Sequence, residues 1–272
     1  MNNDAGVGRP VMSQSIQITL ENDIAVVRLN DPDTLNAVTV EMIEGLDRAL
    51  DQVVSGARAM VLTGAGRAFC SGANLGAGLG ETADDPTQSD AGAVLESHIN
   101  PLMMRLRHLP VPWISAVRGA AAGVGASLAL AADMIVASET AFFLQAFSRI
   151  GLVPDGGSSH LLIRTLGRPH AMELMLLGDR LPAAKALEWG LINQVAPDAE
   201  MDARALELAA RLAQGAASLG LIRRLAWTAV DGDWSDTLAL ERDLQRAAGR
   251  TEDHKEGLSA FQDKRSPRFR GA

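Results

Sequence analysis

The chain has 272 residues, of which 47% are hydrophobic, and it carries a formal net charge of −8 at pH 7. This length allows one large domain, or one domain with a helical appendage, and the apolar fraction supports a substantial core. The acidic balance argues against a nucleic-acid surface, and the sequence lacks the run of roughly 18–20 apolar residues that crosses a membrane.

Two features bear on the compartment in which the protein works. Residues 1–14 are polar and Gly/Pro-containing without an apolar signal core, which predicts a flexible N-terminal segment and a cytoplasmic protein. Cys70 is the only cysteine, which excludes an internal disulfide and fits a reducing compartment. We expect a small buried side chain at Cys70, with a reactive thiol as the alternative.

The first half of the chain alternates short strands with turns and helices. Residues 16–20 and 24–29 predict a β-hairpin, and Thr39 predicts the N-cap of a helix that runs to about residue 54. The pattern then predicts a buried strand at 59–63, a Gly-rich turn at 64–75, a mobile loop at 76–92, an amphipathic helix at 93–108 and a buried strand at 113–117.

Residues 118–133 form the element around which the chain is organised. Gly119, Gly123 and Gly125 predict a turn with little side-chain bulk, and the Ala/Leu pattern from Val124 predicts a helix. The first N–H groups of a helix have no intrahelical acceptor, so this junction suits a phosphate or a developing oxyanion. The alternative is a Gly/Ala-rich helix that packs closely against its neighbours.

The second half of the chain becomes progressively helical. The pattern predicts a strand at 134–137, irregular chain at 138–157, helices at 158–166, 168–177 and 183–189, a strand at 191–195, and helices from 198 with breaks near Gly215, Gly232 and Gly249. Three times before residue 140 a short strand leads to a Gly-rich turn or a helix. This recurrence predicts repeated ββα layers followed by a helical tail.

Several common active-site signatures are incomplete. The Gly-x-Gly pairs at 64–66 and 123–125 lack the third glycine of a dinucleotide fingerprint, and a Walker A lysine is missing. The five histidines lack metal-ligand spacing, so no metal is expected. Ser127 half matches a nucleophile elbow without its closing glycine, and we expect a small helix residue there.

Three stretches in series resemble the enoyl-CoA hydratase/isomerase (crotonase) family: residues 68–75, 119–133 and 143–157. The similarity runs from about residue 16 to 270 in the family's order and spacing. It implies an α/β, crotonase-like spiral of ββα repeats over 15–197, with a C-terminal helical oligomerisation region over 198–272. It further implies a homotrimer or homohexamer, acyl-CoA thioester substrates, and no metal or redox cofactor.

The resemblance also assigns site residues. The two N–H groups that hold the thioester oxygen, the oxyanion hole, fall on Ala73 and Val124. Contacts to the substrate or to coenzyme A fall on Ala37, Ser71, Gly72, Leu75, Gly123 and Phe147, and, in a segment that often covers the coenzyme A of a neighbouring subunit, on Phe261 and Lys264. For Lys264 the alternative is a solvated helix end.

The chain departs from the hydratase members of the family. Their two catalytic glutamates fall on Ser127 and Phe147, neither of which is a base at neutral pH. Asp155 remains, in a pattern similar to the isomerase branch related to the ring-epoxide isomerases of phenylacetate breakdown, where one aspartate is the only acid/base. The alternative for Asp155 is the cap of a helix over about 157–166, or a Pro-Asp-Gly turn.

We therefore expect an isomerase that shifts a double bond in an enoyl-CoA through an enolate, either from the 3 to the 2 position or in a ring-type isomerisation, with Asp155 as its single acid/base. Three other functions stay open at this point. They are an enoyl-CoA hydratase, an aryl-CoA dehalogenase with Asp155 as nucleophile, and a non-catalytic acyl-CoA binder.

Overall fold

The computed structural model, which describes residues 15–75 and 90–272, is built on a six-stranded sheet in the order β1-β2-β3-β4-β6-β9. These strands are β1 (Ile16–Glu21), β2 (Ile24–Leu29), β3 (Ala59–Gly64), β4 (Trp113–Val117), β6 (Met134–Ser138) and β9 (Gln194–Ala196). β1 and β2 form the predicted antiparallel hairpin, and each later pair in the sheet is parallel. Every residue of the central strands β3 and β4 is buried, and all but Thr63 and Ser115 lack a polar side chain, as is typical of a parallel sheet covered on both faces.

A second, smaller layer follows the ends of the parallel strands. It contains β5 (Ala120–Ala122), β7 (Phe142–Leu144) and β8 (Arg180–Pro182), and single bridges join Cys70 to Ala121 and Ala73 to Val38. β3, β4 and β6 are thus each followed by an extended segment in the second layer. This arrangement is the predicted spiral of ββα layers, although β7 lies in a segment that we expected to be irregular.

The helices mostly match their predicted positions. They are α1 (Val40–Gly56), α2 (Asn100–Arg107), α3 (Val124–Leu130), α4 (Ser158–Leu177), α5 (Ala183–Glu188), α6 (Met201–Ala213), α7 (Ser218–Asp231), α8 (Trp234–Ala248) and α9 (Glu252–Gln262). Thr39 caps α1 as predicted, because its side chain accepts from the Met42 N–H at 3.1 Å. α4 changes direction at Gly167, where φ is 72° and ψ is 166°.

Three predicted boundaries need correction or fall outside the described chain. The helix expected at 93–108 begins with a π-helical turn, Leu95–Ile99, before α2. The strand expected at 191–195 begins only at Gln194; Leu191 and Ile192, whose apolar side chains suggested a strand, belong to the core but lie in the preceding loop. Of the loop expected at 76–92, residues 76–89 lie outside the described residues, as do residues 1–14.

The core lies on both faces of the large sheet. On one face, side chains of α1, α2 and α3 pack against alternate residues such as Val27 and Leu62. On the other face, Met201 and Leu208 of α6 pack against Val61 and Ile114. The helical region after residue 198 therefore begins with a helix that completes the core. None of the helices in the described part of the chain is long and apolar enough to cross a membrane.

Helix α7 is attached to the core by a buried ion pair. The Arg223 Nε donates to Asp133 Oδ2 at 2.7 Å, and its two terminal nitrogens donate to the main-chain carbonyls of Leu106, Arg107 and Leu109 at 2.6–2.7 Å. These carbonyls lie at the end of α2 and just after it. The single guanidinium therefore connects α7, the end of α2 and the chain at Asp133 that leads into β6. Arg223 is 5% exposed.

Candidate active site

The first segment of the site is the chain at residues 70–75, which follows β3. The Val38 N–H donates to the Gly72 carbonyl at 2.7 Å, and the Asn74 N–H donates to the Val38 carbonyl at 2.9 Å. Successive N–H groups of an extended chain point to opposite edges, so the Ala73 N–H faces away from Val38, toward β5 and the start of α3. Among the described residues this N–H has no acceptor, and Ala73 is exposed.

The second segment is the turn from β5 into α3. Gly123 has φ 52° and ψ −130°, a conformation that L side chains rarely adopt, so the turn requires glycine. Val124 begins α3, and within the described residues its N–H has no acceptor. A methyl group on Gly72 would lie 3.0 Å from the Ala122 carbonyl oxygen, and one on Gly123 would lie 3.8 Å from the Gly72 Cα. The two segments are therefore in close contact.

Asn36 holds the turn that leads into the first segment, and the sequence analysis missed it. Its side chain is fully buried; Nδ2 donates to the carbonyls of Ala65 and Ala68 at 2.9 and 2.8 Å, and Oδ1 accepts from the Asp31 N–H at 2.9 Å. Its φ is 57°, which asparagine tolerates better than most residues. The position of Asn36 after Asp-Pro-Asp-Thr-Leu indicates a turn in the sequence. It does not indicate that the side chain binds carbonyls distant in the chain.

The Asp155 loop, between the 3-10 turn Ala146–Ile150 and α4, is held through its main chain. The Asp155 carbonyl oxygen accepts hydrogen bonds from Ser127 Oγ at 2.9 Å, from the Ser158 N–H at 3.1 Å and from Ser158 Oγ at 3.0 Å. The N-cap of α4 is Gly157, and no side-chain hydrogen bond caps this helix. The capping alternative for Asp155 is therefore wrong, and its carboxyl group takes no part in starting α4.

The Asp155 side chain is half-buried, and one of its two carboxyl oxygens, Oδ1, is fully buried. Its Oδ1 has no hydrogen-bond partner among the described residues, and burial raises the pKa of the carboxyl group to about 6. A methyl group on Gly156 would lie 2.8 Å from the Ser127 Cβ and 3.8 Å from the Val124 Cγ2, so this loop packs against the first turn of α3. A carboxyl group with this pKa is mostly ionised at pH 7 and can take and return a proton.

The two positions to which the resemblance assigns the glutamates of hydratases hold a buried serine, Ser127, and a buried phenylalanine, Phe147. Ser127 Oγ lies 3.4 Å from the Gly123 carbonyl oxygen and 2.9 Å from that of Asp155, so its hydroxyl is directed at main-chain acceptors rather than at a histidine base. The Phe147 Cζ would lie 3.8 Å from a methyl group on Gly123. An aromatic ring therefore packs at the turn before Val124, and the position supplies no carboxylate.

Of the other residues that the resemblance assigns to the site, Ser71 and Leu75 belong to the first segment and Ala37 lies in the loop before α1. Ser71 is braced by the loop before α1: its N–H donates to the Leu35 carbonyl, and its Oγ donates to the Thr34 carbonyl, both at 3.0 Å. Ala37 is buried, and its N–H donates to the Thr34 hydroxyl. Leu75 is 68% exposed. Their contacts with a substrate stay a prediction.

Phe261 and Lys264 lie away from this group within one chain. The end of the chain turns back toward Arg58, which precedes β3 and whose guanidinium donates to the carbonyls of Phe269 and Gly215. Asp155 and the N–H groups of Ala73 and Val124 lie instead where the parallel strands end. Within one chain, the tail that follows α9 therefore packs at the start of β3, whereas the candidate site lies after the end of that strand.

Two further candidates can be assessed directly. Cys70 is fully buried between the two segments, and burial raises its thiol pKa to about 12, so the reactive-thiol alternative is wrong. Among the described residues, no group of three or more His, Cys, Asp or Glu side chains could hold a metal ion.

Comparison with known proteins places this constellation in a family. The family model described as enoyl-CoA hydratase/isomerase matches residues 19–272, so the chain belongs to the enoyl-CoA hydratase/isomerase family and is an enzyme of that family. One relative, the 1,2-epoxyphenylacetyl-CoA isomerase of Escherichia coli K12, is 44% identical over 265 residues, which cover 96% of this chain and 100% of the relative. Another, named as a probable enoyl-CoA hydratase of Rhodobacter capsulatus, is 39% identical and covers 94% of this chain and 98% of its own.

Solved structures share the crotonase fold. The crystal structure of an enoyl-CoA hydratase from Polaromonas sp. JS666 has a TM-score of 0.85 and 36% identity, over 94% of this chain and 99% of that one. The predicted fold class, a crotonase-like α/β spiral with a helical C-terminal region, is confirmed.

Proposed function

We propose that this enzyme moves the double bond of an enoyl-CoA thioester from the 3 to the 2 position, with Asp155 as its single acid/base. In this proposal the N–H groups of Ala73 and Val124 hold the thioester oxygen. One observation carries the assignment. Among the described residues, the buried Asp155 Oδ1 has no hydrogen-bond partner, and the loop that carries it packs against the first turn of α3, where the Val124 N–H also lacks an acceptor.

The reaction needs two proton transfers and no net change of oxidation state. The Asp155 carboxylate removes a proton from C2, and the electron pair of that C–H bond moves toward the thioester carbonyl to give a conjugated enolate. The N–H groups of Ala73 and Val124 stabilise the enolate oxygen, and one donor of this kind contributes about 3–4 kcal/mol to the transition state. The protonated Asp155 then delivers a proton to C4, which leaves the double bond between C2 and C3.

The absence of a second carboxylate at the two glutamate positions favours isomerisation over hydration. Water addition needs a group that orients the water and a group that protonates the acyl chain, whereas Ser127 and Phe147 offer a hydroxyl turned toward main-chain carbonyls and a hydrocarbon ring. The Escherichia coli relative, whose name is that of an isomerase, supports this choice. The hydratase name of the Rhodobacter capsulatus relative makes hydration the competing activity to measure.

We extend the proposal to coenzyme A and to the subunit arrangement. Ala37, Ser71, Gly72, Leu75 and Gly123 would line the path of the thioester, and Phe147 would contact the acyl group. Phe261 and Lys264 would reach the coenzyme A of a neighbouring subunit in a homotrimer or homohexamer. Support comes from Phe261, which is 84% exposed on α9. Light scattering should give a mass of three or six chains, and Lys264→Ala should raise KM for a CoA thioester but not for a pantetheine thioester.

The experiment that tests the function compares three substrates with the purified protein. We expect a 3-enoyl-CoA to be converted to the conjugated 2-enoyl-CoA, which absorbs in the ultraviolet, far faster than a 2-enoyl-CoA is hydrated. Rapid hydration would make the protein a hydratase. Halide release from a halogenated aryl-CoA would make it a dehalogenase, and binding without turnover of any substrate would make it an acyl-CoA binder.

A further inference from the structure

The hydroxyl group of Ser127 stands between the two halves of the proposed site. It lies on the first turn of α3, 2.9 Å from the carbonyl oxygen of Asp155 and 3.4 Å from that of Gly123. A hydroxyl has one proton to donate, so the shorter contact, to Asp155, is the principal hydrogen bond. Ser127 itself is fully buried, which keeps water from competing for this bond.

The hydrogen bond from Ser127 bears on the position of the Asp155 carboxyl group, because its acceptor is the main-chain carbonyl of the same residue. The Asp155 carbonyl belongs to the planar peptide that leads into Gly156, and a methyl group on Gly156 would lie 2.8 Å from the Ser127 Cβ. The hydrogen bond from the Ser127 hydroxyl thus holds the loop against α3, and van der Waals contact between Gly156 and Ser127 limits how closely the loop approaches. Ser158 holds the same carbonyl from the other side with its N–H and its Oγ, the latter shared with Gln145 Oε1 at 3.1 Å.

The turn that carries Ser127 also orients the Val124 N–H, which is one of the two proposed donors of the oxyanion hole. The Gly123 carbonyl and the Val124 N–H belong to one planar peptide, so groups that hold the carbonyl also orient the N–H. The N–H groups of Ala126 and Ser127 donate to the Gly123 carbonyl at 2.9 and 3.2 Å. The residue that contributes the hydroxyl to the Asp155 loop is therefore also part of the turn that aims the Val124 N–H.

From this geometry we propose that Ser127 is a positioning residue, whose hydroxyl fixes the distance between the Asp155 carboxyl group and the Val124 N–H by binding the main-chain carbonyl of Asp155. The inference rests on the proposed function, in which these two groups act on the same enoyl thioester. It assigns a task to the position where hydratases carry a glutamate. Because the loop is held through its backbone, the carboxyl group makes no hydrogen bond to the described part of the chain and stays available to C2 and C4.

Ser127→Ala is the test, with Ser115→Ala as the matched control. Ser115 is also a fully buried serine, on β4, but its hydroxyl has no hydrogen-bond partner within the described residues. Ser127→Ala should lower kcat about ten- to a hundredfold and change KM by less than about threefold. A small displacement of the Asp155 carboxyl group impairs proton transfer but leaves the contacts that bind the substrate intact. Water that reaches the loosened loop should also lower the pKa of Asp155 from about 6 toward its ordinary value.

The outcomes separate this inference from the proposed function. If the unchanged enzyme does not isomerise a 3-enoyl-CoA, the function is wrong, and the Asp155 pKa, read by carboxyl-carbon NMR without turnover, still tests the positioning role. If Ser127→Ala matches Ser115→Ala in kcat and in the Asp155 pKa, the positioning role is wrong while the function stands. Ser127→Cys, which keeps most of the volume and offers only a weak donor, should behave as Ser127→Ala does. Failure of both Ser127 variants to fold would overturn the inference, because the hydroxyl would then serve the fold itself.

Discussion

Replacing Asp155 by asparagine should make the protein more stable at neutral pH. Burial raises the pKa of the folded-state carboxyl group from 3.8 to about 6, which means that folding penalises its ionised form. A displacement of about two pKa units, at 1.36 kcal/mol each, corresponds to about 3 kcal/mol of lost stability above pH 6. Asparagine carries no charge and escapes this penalty.

The stability gained by Asp155→Asn should depend on pH, because the raised pKa penalises folding only where the carboxyl group is ionised. The folded protein takes up a proton as the pH falls through 6, whereas the unfolded chain does so only near 3.8, so the penalty disappears between these values. The advantage of Asp155→Asn should therefore be largest above pH 7 and shrink toward pH 4. Any cost of burying the unpartnered amide, about 1–3 kcal/mol, is the same at every pH and leaves the slope unchanged.

Thermal unfolding of the two proteins between pH 4 and 8 measures this slope, and Asp253→Asn is the matched control. Although burial acts in the other direction, the N–H groups of Arg270, Ala217 and Gly271 hold the pKa of the Asp253 carboxyl group below its usual value. Asp253→Asn should therefore destabilise the protein by a nearly constant amount between about pH 5 and 8, because a lowered carboxyl pKa contributes stability that is lost only as the pH falls below the ordinary value of 3.8. A stability difference for Asp155→Asn that stays constant from pH 4 to 8 would refute the argument that its carboxyl group is desolvated.

Three further perturbations test other parts of the structure. The isomerisation rate should fall about tenfold per pH unit below pH 6, because Asp155 must be ionised to act as a base, and a rate that is flat down to pH 4.5 would exclude this role. Arg223→Met should cost about 3–5 kcal/mol in denaturant unfolding, because it removes the cation that pairs with the Asp133 carboxylate, whereas Arg204→Met, on an exposed helix face, should cost less than about 1 kcal/mol. Asn36→Ala should lower kcat more than it raises KM and cost about 1–3 kcal/mol, and an unchanged kcat would show that the turn does not position the Ala73 N–H.

The sequence predicted those parts of the fold whose causes are local. Thr39 caps α1 because a hydroxyl one residue before a helix can reach the N–H groups of its first turn. The local sequence predicted a turn at Gly123, and the positive φ of this residue shows why a glycine is needed between β5 and α3. The short strands of the second layer were not predicted, because three residues such as Phe142–Leu144 are too few to show a period of two.

The support of the candidate site could not be predicted, because it depends on contacts between residues distant in the chain. Asn36 binds carbonyls about thirty residues away, and Ser127 binds a carbonyl 28 residues away. Arg223 reaches Asp133 across 90 residues. The resemblance led to Asp155, but only the structure separates a capping aspartate from one whose buried Oδ1 has no partner in the described chain.

Asp155 is the residue on which the proposed chemistry depends, and its removal tests the account most directly. The measurement is the turnover of a 3-enoyl-CoA by Asp155→Asn, made beside a titration of its affinity for the same thioester. We predict that turnover falls at least about a thousandfold while affinity stays within a few fold, because asparagine preserves the shape but cannot exchange the proton. Turnover by Asp155→Asn near the rate of the unchanged enzyme would contradict the account.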